Sequence, residues 1–330
     1  MRVFVTGGTG FIGQCVVNGL QVRGYDVTVL VRDPASPAAR ALAAAGAELA
    51  VGDVTDRAAL RAGMAGAEAV IHNAGIYAFG LTRAERRQMT AVNVNGTANT
   101  LGIAHELGIR RILYVSTAFA FGETDGHLRD ETWVRRSTPQ SHYEATKTEA
   151  HELALGLQRA GAPIVVLCPV AVAGPGDHSS LGHMARLYVR GQMPPFSFGN
   201  GTVSFVHVDD VAAAITHAVE RGREGETYLL SGGALPLREV FKTWHTMPGA
   251  AEYILWYLPR WLAVRLCAIA QPFQRLFRLP RVFSADLARS AFMDLRFSGA
   301  KATDHLEVNF RPPRQVWRDT LKVERNRWLA

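Results

Sequence analysis

The chain has 330 residues, 48% of them hydrophobic, and a formal net charge of +7. That is enough apolar material for one large core or two smaller ones, and it excludes a disordered chain, a low-complexity array or a collagen-like fibre. The longest apolar run, Pro163 to Ala173, is too short to span a bilayer.

The first strand is expected at once. Arg2-Val-Phe-Val5 is an apolar, β-branched run, the mark of a short buried strand. Because it starts at residue 2, no room is left for a signal peptide, and a cytoplasmic location is expected. Thr6-Gly-Gly-Thr-Gly-Phe-Ile-Gly13 follows, with glycines at Gly7, Gly10 and Gly13. Val16, Val17 and Leu20 then take the spacing of one helical face from Gln14 to Arg23, and Gly24 ends that helix. Val27 to Val31 is the second strand. Strand, glycine turn, helix and strand form the first half of a dinucleotide-binding unit. Gly7 permits the tight turn, Gly10 lets backbone N–H groups approach a pyrophosphate, and Gly13 lets the helix pack close to the sheet. The phosphates would sit on the unpaired N–H groups at the positive end of the helix.

Further strands and helices alternate down the chain. An alanine-rich helix is expected over Pro37–Ala45, a strand over Glu48–Val51, a helix over Asp56–Met64 and a strand over Ala69–His72. A single helix is expected from Arg83 to Glu106, then a strand Arg111–Val115, a helix Tyr143–Ala160 and a strand Ile164–Leu167. This alternation predicts an α/β fold with a doubly wound parallel sheet, and ligands at the carboxyl ends of its strands. Pro169 to Gly176 is rich in glycine and proline and reads as the hinge into a second region. Ser204–Val208 with Asp209-Asp-Val-Ala reads as a late return to the sheet. The expected organisation is a Rossmann domain at 1–173 with a return segment at 203–222, and a discontinuous, mostly helical substrate-binding region at 174–330. Cys15, Cys168 and Cys267 are few and far apart, which predicts buried free thiols and neither a disulfide framework nor a metal site.

The strongest catalytic signal is Tyr143-Glu-Ala-Thr-Lys147. On a helix, positions i and i+4 share a face, so the phenol and the ammonium project into one space. A free tyrosine titrates near 10, and a neighbouring lysine charge favours its phenolate. Tyr143 can then give a proton to a carbonyl oxygen or take one from an alcohol.

These motifs together resemble the extended short-chain dehydrogenase/reductase family, within the NAD-dependent epimerase/dehydratase superfamily. The G-x-x-G-x-x-G spacing after Thr6, the Tyr143/Lys147 pair, and Val115-Ser-Thr-Ala-Phe-Ala-Phe-Gly122 all match. Further matches are Gly52-Asp53-Val54, His72-Asn-Ala-Gly75, Asn93-Val-Asn-Gly-Thr-Ala-Asn99, Leu167-Cys-Pro-Val-Ala-Val-Ala-Gly-Pro-Gly-Asp177 and Phe205-Val-His-Val-Asp-Asp-Val211. The branches most similar are the dihydroflavonol and cinnamoyl-CoA reductases, the 3β-hydroxysteroid dehydrogenases and the hopanoid-associated epimerases. The resemblance implies that Thr117 carries the catalytic hydroxyl, where most relatives have serine, with Ser116 as the fallback. It implies that Asn93 helps hold a proton relay and that Lys147 tunes Tyr143 and holds the nicotinamide ribose. It places the dinucleotide on Gly7, Gly10, Phe11, Ile12, Gly13, Arg32, Asp53, Val54, Asn73, Ala74, Gly75, Ser116, Tyr143, Lys147, Pro169 and Val172.

Two departures refine the expectation. The position at which NAD enzymes carry an acid is Val31, and Val31-Arg-Asp-Pro34 resembles the NADPH-using reductases. NADP(H) is therefore favoured over NAD(H), with Asp33 dissenting and Arg40 available as a second cation. Cys168 stands where many nucleotide-sugar enzymes have arginine. The resemblance thus implies an oxidoreductase interconverting a carbonyl and a secondary alcohol on an apolar or aromatic small molecule. The rivals are a nucleotide-sugar epimerase or dehydratase, and a non-catalytic NADP-sensing regulator.

The last hundred residues stand apart. Residues 231–330 hold 16 Lys/Arg against 8 Asp/Glu and five of the six tryptophans. Within 253–281 an apolar, aromatic series is interrupted by arginines. Open readings are a lid over an apolar substrate, a membrane-surface segment, a homodimer contact, or helices packed on their own domain; the lid is expected. The arginines lie on no nucleic-acid-binding motif, so no nucleic-acid partner is expected. Phe297-Ser-Gly-Ala-Lys-Ala302 resembles a late segment of the reductase branch, with Leu306-Glu307 where leucine-glycine is usual.

Overall fold

The computed structural model describes residues 1–193, 196–198, 201–247, 256–271 and 284–329. Its strands, in chain order, are β1 (Arg2–Thr6), β2 (Asp26–Val31), β3 (Glu48–Val51), β4 (Ala69–His72), β5 (Arg111–Val115) and β6 (Ile164–Pro169). There follow β7 (Ala171–Ala173), β8 (Phe196–Phe198), β9 (Thr202–His207), β10 (Thr227–Leu230), β11 (Ala234–Pro236) and β12 (Trp256–Leu258). Seven of them form one parallel sheet in the order β3-β2-β1-β4-β5-β6-β10, with helices on both faces. The chain winds outward from β1 to β3, then crosses back to lay β4 on the other side of β1. That reversal opens a crevice at the carboxyl ends of β1 and β4.

The strands are apolar runs, not alternating ones, because both faces are covered. Val3, Phe4, Val5, Ile71, Leu113 and Val165 are fully buried in the same core. The first helix runs Phe11–Val22, so Gly13 lies inside its opening turn and not before it. A Cβ on Gly13 would fall 2.0 Å from the Gly7 carbonyl, and Gly7 itself has φ +72°. Both glycines are thus required, one by close packing and one by conformation. On its other side this helix packs against Val208–Arg221, and a Cβ on Gly19 would come within 3.1 Å of Thr216.

Two sequence expectations are corrected. The expected helix Arg83–Glu106 is two α-helices, Arg83–Thr90 and Gly96–Glu106, joined by a π turn at Ala91–Asn95. The expected return strand at Ser204–Val208 is β9, which pairs with β7 and β11 in a separate three-stranded sheet. The chain rejoins the central sheet through helix Val208–Arg221 and then β10, whose Thr-Tyr-Leu-Leu run was not singled out. The stretch Pro169–Gly176, read as a hinge, contains β7. Its glycines and prolines bound a short strand, because β9 from much later in the chain supplies the pairing partner.

A second core lies beneath the small sheet. Trp244 and Trp317 are fully buried there with ring centroids 5.2 Å apart, and Phe205 packs on Trp317 at 5.5 Å. Two of the late tryptophans are therefore core residues. Trp256, Trp261 and Trp328 are exposed.

Candidate active site

A cavity of about 740 Å³ opens at the carboxyl ends of β1, β2 and β4 and runs on between the two cores. Gly7, Gly10, Phe11, Ile12, Arg32, Asp53, Val54, Asn73, Ala74 and Gly75 line one end of it. Ser116, Thr117, Tyr143, Pro169 and Val172 line its middle. Gly13, Asn93 and Lys147 do not reach its wall. Gly13 is packed under the Gly7 turn, and the other two are buried behind Tyr143.

The first helix has Gly10 as its N-cap and no side-chain cap. Its opening N–H groups, at Phe11 and Ile12, are left to whatever enters the cavity. At the end of β2, Arg32 lines the cavity while the Asp33 carboxylate turns back to accept the Ala35 N–H at 2.9 Å. Arg40 is exposed and off the cavity wall. The Asp53 carboxylate accepts the Thr55 N–H and hydroxyl at 2.9 and 2.7 Å, which fixes the turn after β3.

Tyr143 stands in the first turn of the helix His142–Arg159. Ser141 caps that helix by accepting the Glu144 N–H at 3.1 Å, and buried Glu144 pairs with Arg135 at 2.5 Å. The Tyr143 ring and Thr117 stand side by side on the cavity wall. Burial raises the phenol above its ordinary value, and the Lys147 charge and Thr117 only oppose the rise. The lysine charge thus acts in the expected direction, and burial outweighs it; the free site holds Tyr143 protonated. Lys147 donates to the Tyr114 hydroxyl at 3.3 Å and to the Val115 carbonyl at 3.2 Å, and burial lowers its pKa.

Ser116 points elsewhere. Its hydroxyl is 3.0 Å from His151 Nδ1, and burial pushes that histidine down to about 4. Cys168, buried beside them, is pushed up to about 12 and stays a neutral thiol. Asn93 does not reach Lys147. Its side chain accepts the Ile76 N–H at 2.7 Å and donates to the Ile76 carbonyl and Thr146 hydroxyl, both at 3.1 Å. It thereby pins the segment after β4, and the π turn that carries it accommodates this reach.

Several residues of the site were not singled out from sequence. Tyr77, Phe79 and Phe119 surround the Tyr143 ring, with centroids 4.8, 6.2 and 6.0 Å away. The signal available was two aromatics within a few residues of His72-Asn-Ala-Gly75. Beyond them the cavity is walled by Phe205, Leu237, Phe241, Leu287, Leu295 and Trp317, with Asp177 and His183 on one polar edge. Among the described residues, Arg32 is the one Lys or Arg on the cavity wall.

Trp261 does not roof this cavity. It is 61% exposed, and the wall nearest it is built by Leu287, Ala288, Ser290 and Ala291. Cys267 and Ala263, not the tryptophan, occupy the inward face of its helix. Residues 253–255 and 272–281 of the segment given to the lid lie outside the described residues, Phe273 among them.

A glycine turn under an open helix end, a Tyr–Lys pair behind it and the reversed strand order have known counterparts. Residues 3–231 match the model of the NAD dependent epimerase/dehydratase family. The chain belongs to that family. The 4-hydroxy-2-methyl-3-oxo-4-farnesyl-3,4-dihydroquinoline-1-oxide ketoreductase of Stigmatella aurantiaca is 33% identical over 235 residues, 71% of this chain and 69% of that one. Sterol demethylase protein B of Methylococcus capsulatus is 30% identical over 288 residues, 85% of each chain. The crystal structure of gox2253 superposes with a TM-score of 0.82 at 30% identity, covering 99% of this chain and 98% of that one. The chain is thus an enzyme of the NAD(P)-dependent oxidoreductase and epimerase superfamily.

The residues present fit the epimerase/dehydratase family's dinucleotide. The uncapped N–H groups over Gly10 suit a pyrophosphate, and a Cβ on Gly7 would strike the Ala74 backbone at 2.7 Å, so this turn tolerates no side chain.

Proposed function

We propose that this enzyme is an NADP(H)-dependent oxidoreductase that interconverts a carbonyl and a secondary alcohol on an apolar small molecule. One observation carries the reading: Tyr143, beside Thr117 and with its pKa raised by burial, faces a cavity whose far half is aromatic and aliphatic. A bound NADPH would supply the hydride, held by Gly7, Gly10, Phe11, Ile12, Asn73, Ala74, Gly75, Pro169 and Val172. Asp53 and Val54 would take the adenine end.

The chain's own work is proton chemistry. Thr117 and Tyr143 orient the substrate carbonyl oxygen by hydrogen bonds. As the oxygen gains charge, the Tyr143 O–H bond breaks and the new substrate O–H bond forms. The phenolate left behind is offset by the Lys147 ammonium, which Tyr114 and Val115 hold in place. A phenol protonated in the free enzyme suits the reducing direction. The ketoreductase relative supports a carbonyl substrate. For the cofactor, an apolar Val31, an Arg32 on the cavity wall and an Asp33 occupied by its own turn support a 2′-phosphate over a free ribose.

A nucleotide-sugar epimerase is the second reading. Its substrate carries a diphosphate, and the substrate half of this cavity offers no Lys or Arg among the described residues.

The test is turnover of purified protein with NADPH against ketosteroids, aliphatic and aromatic aldehydes and UDP-sugars. Tyr143→Phe should lower kcat by about 10²–10⁴-fold while NADPH still binds. Interconversion of UDP-sugars with no net change in cofactor would replace the proposal with the second reading.

A further inference from the structure

Among the described residues, the helix Arg260–Ala270 turns one largely exposed face outward. Ala263 and Cys267 point inward, while Arg260, Trp261, Arg265, Leu266 and Ile269 are exposed. Trp261 and Ile269 are 61% and 66% exposed, and Trp256, just upstream, is 70% exposed. The Arg265 guanidinium lies over the Trp261 ring at 5.7 Å, so cation and aromatic share that face. The sequence between Glu252 and Asp286 carries five arginines and no acidic residue. Large apolar groups interleaved with arginines are matched by a surface that is negative outside and apolar just beneath. No helix among the described residues is long and apolar enough to cross a membrane.

We propose that this helix seats the enzyme on an anionic lipid bilayer. Trp261, Leu266, Ile269 and Trp256 would enter the headgroup boundary, and Arg260 and Arg265 would meet lipid phosphates. The placement relates to the cavity. The inward face of the helix, Val264 and Cys267, packs on Ala285 and Ala288 of the helix Ala285–Ser290. Ala288 and its neighbours Leu287 and Ala291 line the cavity. These two helices therefore lie between the seated surface and the apolar half of the site, which suits a substrate drawn from the bilayer. That last clause rests on the proposed function; the seating itself does not.

The experiment is co-sedimentation of wild-type protein with phosphatidylcholine vesicles, with and without phosphatidylglycerol, at low and high salt. Binding should require phosphatidylglycerol and fall at high salt, because the arginine attraction is screened. The Trp261→Glu/Ile269→Glu variant should lose binding about ten-fold or more while its thermal melt and cofactor affinity stay unchanged. A wild type that ignores anionic vesicles, or a variant that binds them as well, overturns the proposal. So does a wild-type dimer in sedimentation velocity that the same variant dissociates, since that assigns the face to a second copy. Activity on soluble substrates is read separately, so loss of the catalytic reading leaves this result standing.

Discussion

Lys147 Nζ lies 3.3 Å from the Tyr114 hydroxyl, and its charge sits 5.0 Å from the centroid of the same ring. The lysine of the Tyr–Lys pair is thus anchored from beneath by a fully buried residue of β5. Tyr114 in turn stacks on His72 at 5.7 Å. Titratable groups around the ammonium are therefore Tyr143 and His151 on its own helix, Tyr114 on β5, His72 on β4 and Cys168 on β6.

Tyr114→Phe removes one of the two acceptors holding a buried ammonium. Its charged form is then less favoured, and burial already lowers its pKa. The alkaline limb of kcat/KM should move to lower pH by roughly one unit, the worth of one charge-assisted hydrogen bond. A structural effect alone would lower activity at all pH values without moving the limb.

Arg32 on the cavity wall and Asp33 tied to Ala35 make opposite demands testable. Arg32→Ala should raise the Kd for NADPH about ten-fold or more and hardly change that for NADH. Tighter binding of NADH than NADPH by the wild type would contradict the NADP assignment.

Acid should destabilise the fold through buried histidines. The native state holds His72 at about 3 and His151 at about 4, against 6.5 unfolded. Below 6.5 the unfolded chain gains protons that the native chain refuses, so stability falls as pH drops from 6.5 toward those values. At about pH 5 the share from His151 is about 2 kcal/mol. Urea unfolding at about pH 7.5 and pH 5 should show a loss smaller by roughly that amount in His151→Gln. Equal losses in both proteins would remove His151 from the account.

The apolar wall should be felt by a large substrate, and the exposed helix should not. Leu287→Ala removes cavity-lining surface, and KM for a bulky apolar ketone should rise roughly ten-fold. Trp261→Ala should leave KM for the same soluble ketone unchanged. A raised KM in the Trp261 variant would restore the lid.

What the sequence determined by itself was everything carried by short-range spacing. The glycine turn, the strand–helix alternation and the i, i+4 placement of Tyr143 and Lys147 depend on residues a few positions apart. Backbone geometry leaves them little freedom. The family's motifs could be read for the same reason. What depends on distant segments meeting was decided only in three dimensions. Thr117 and Ser116 are adjacent and chemically alike, yet one stands beside Tyr143 and the other bonds His151, because they meet different parts of the helix His142–Arg159. Asn93 could be recognised as a motif residue, but its partner Ile76 lies across a loop, and the π turn it occupies breaks a helix that periodicity left whole. β9 reads as a strand of the main sheet, but β7 and β11 were in a position to claim it. The late tryptophans look alike in sequence. Trp244 and Trp317 met each other and formed a core, while Trp261 stayed 61% exposed.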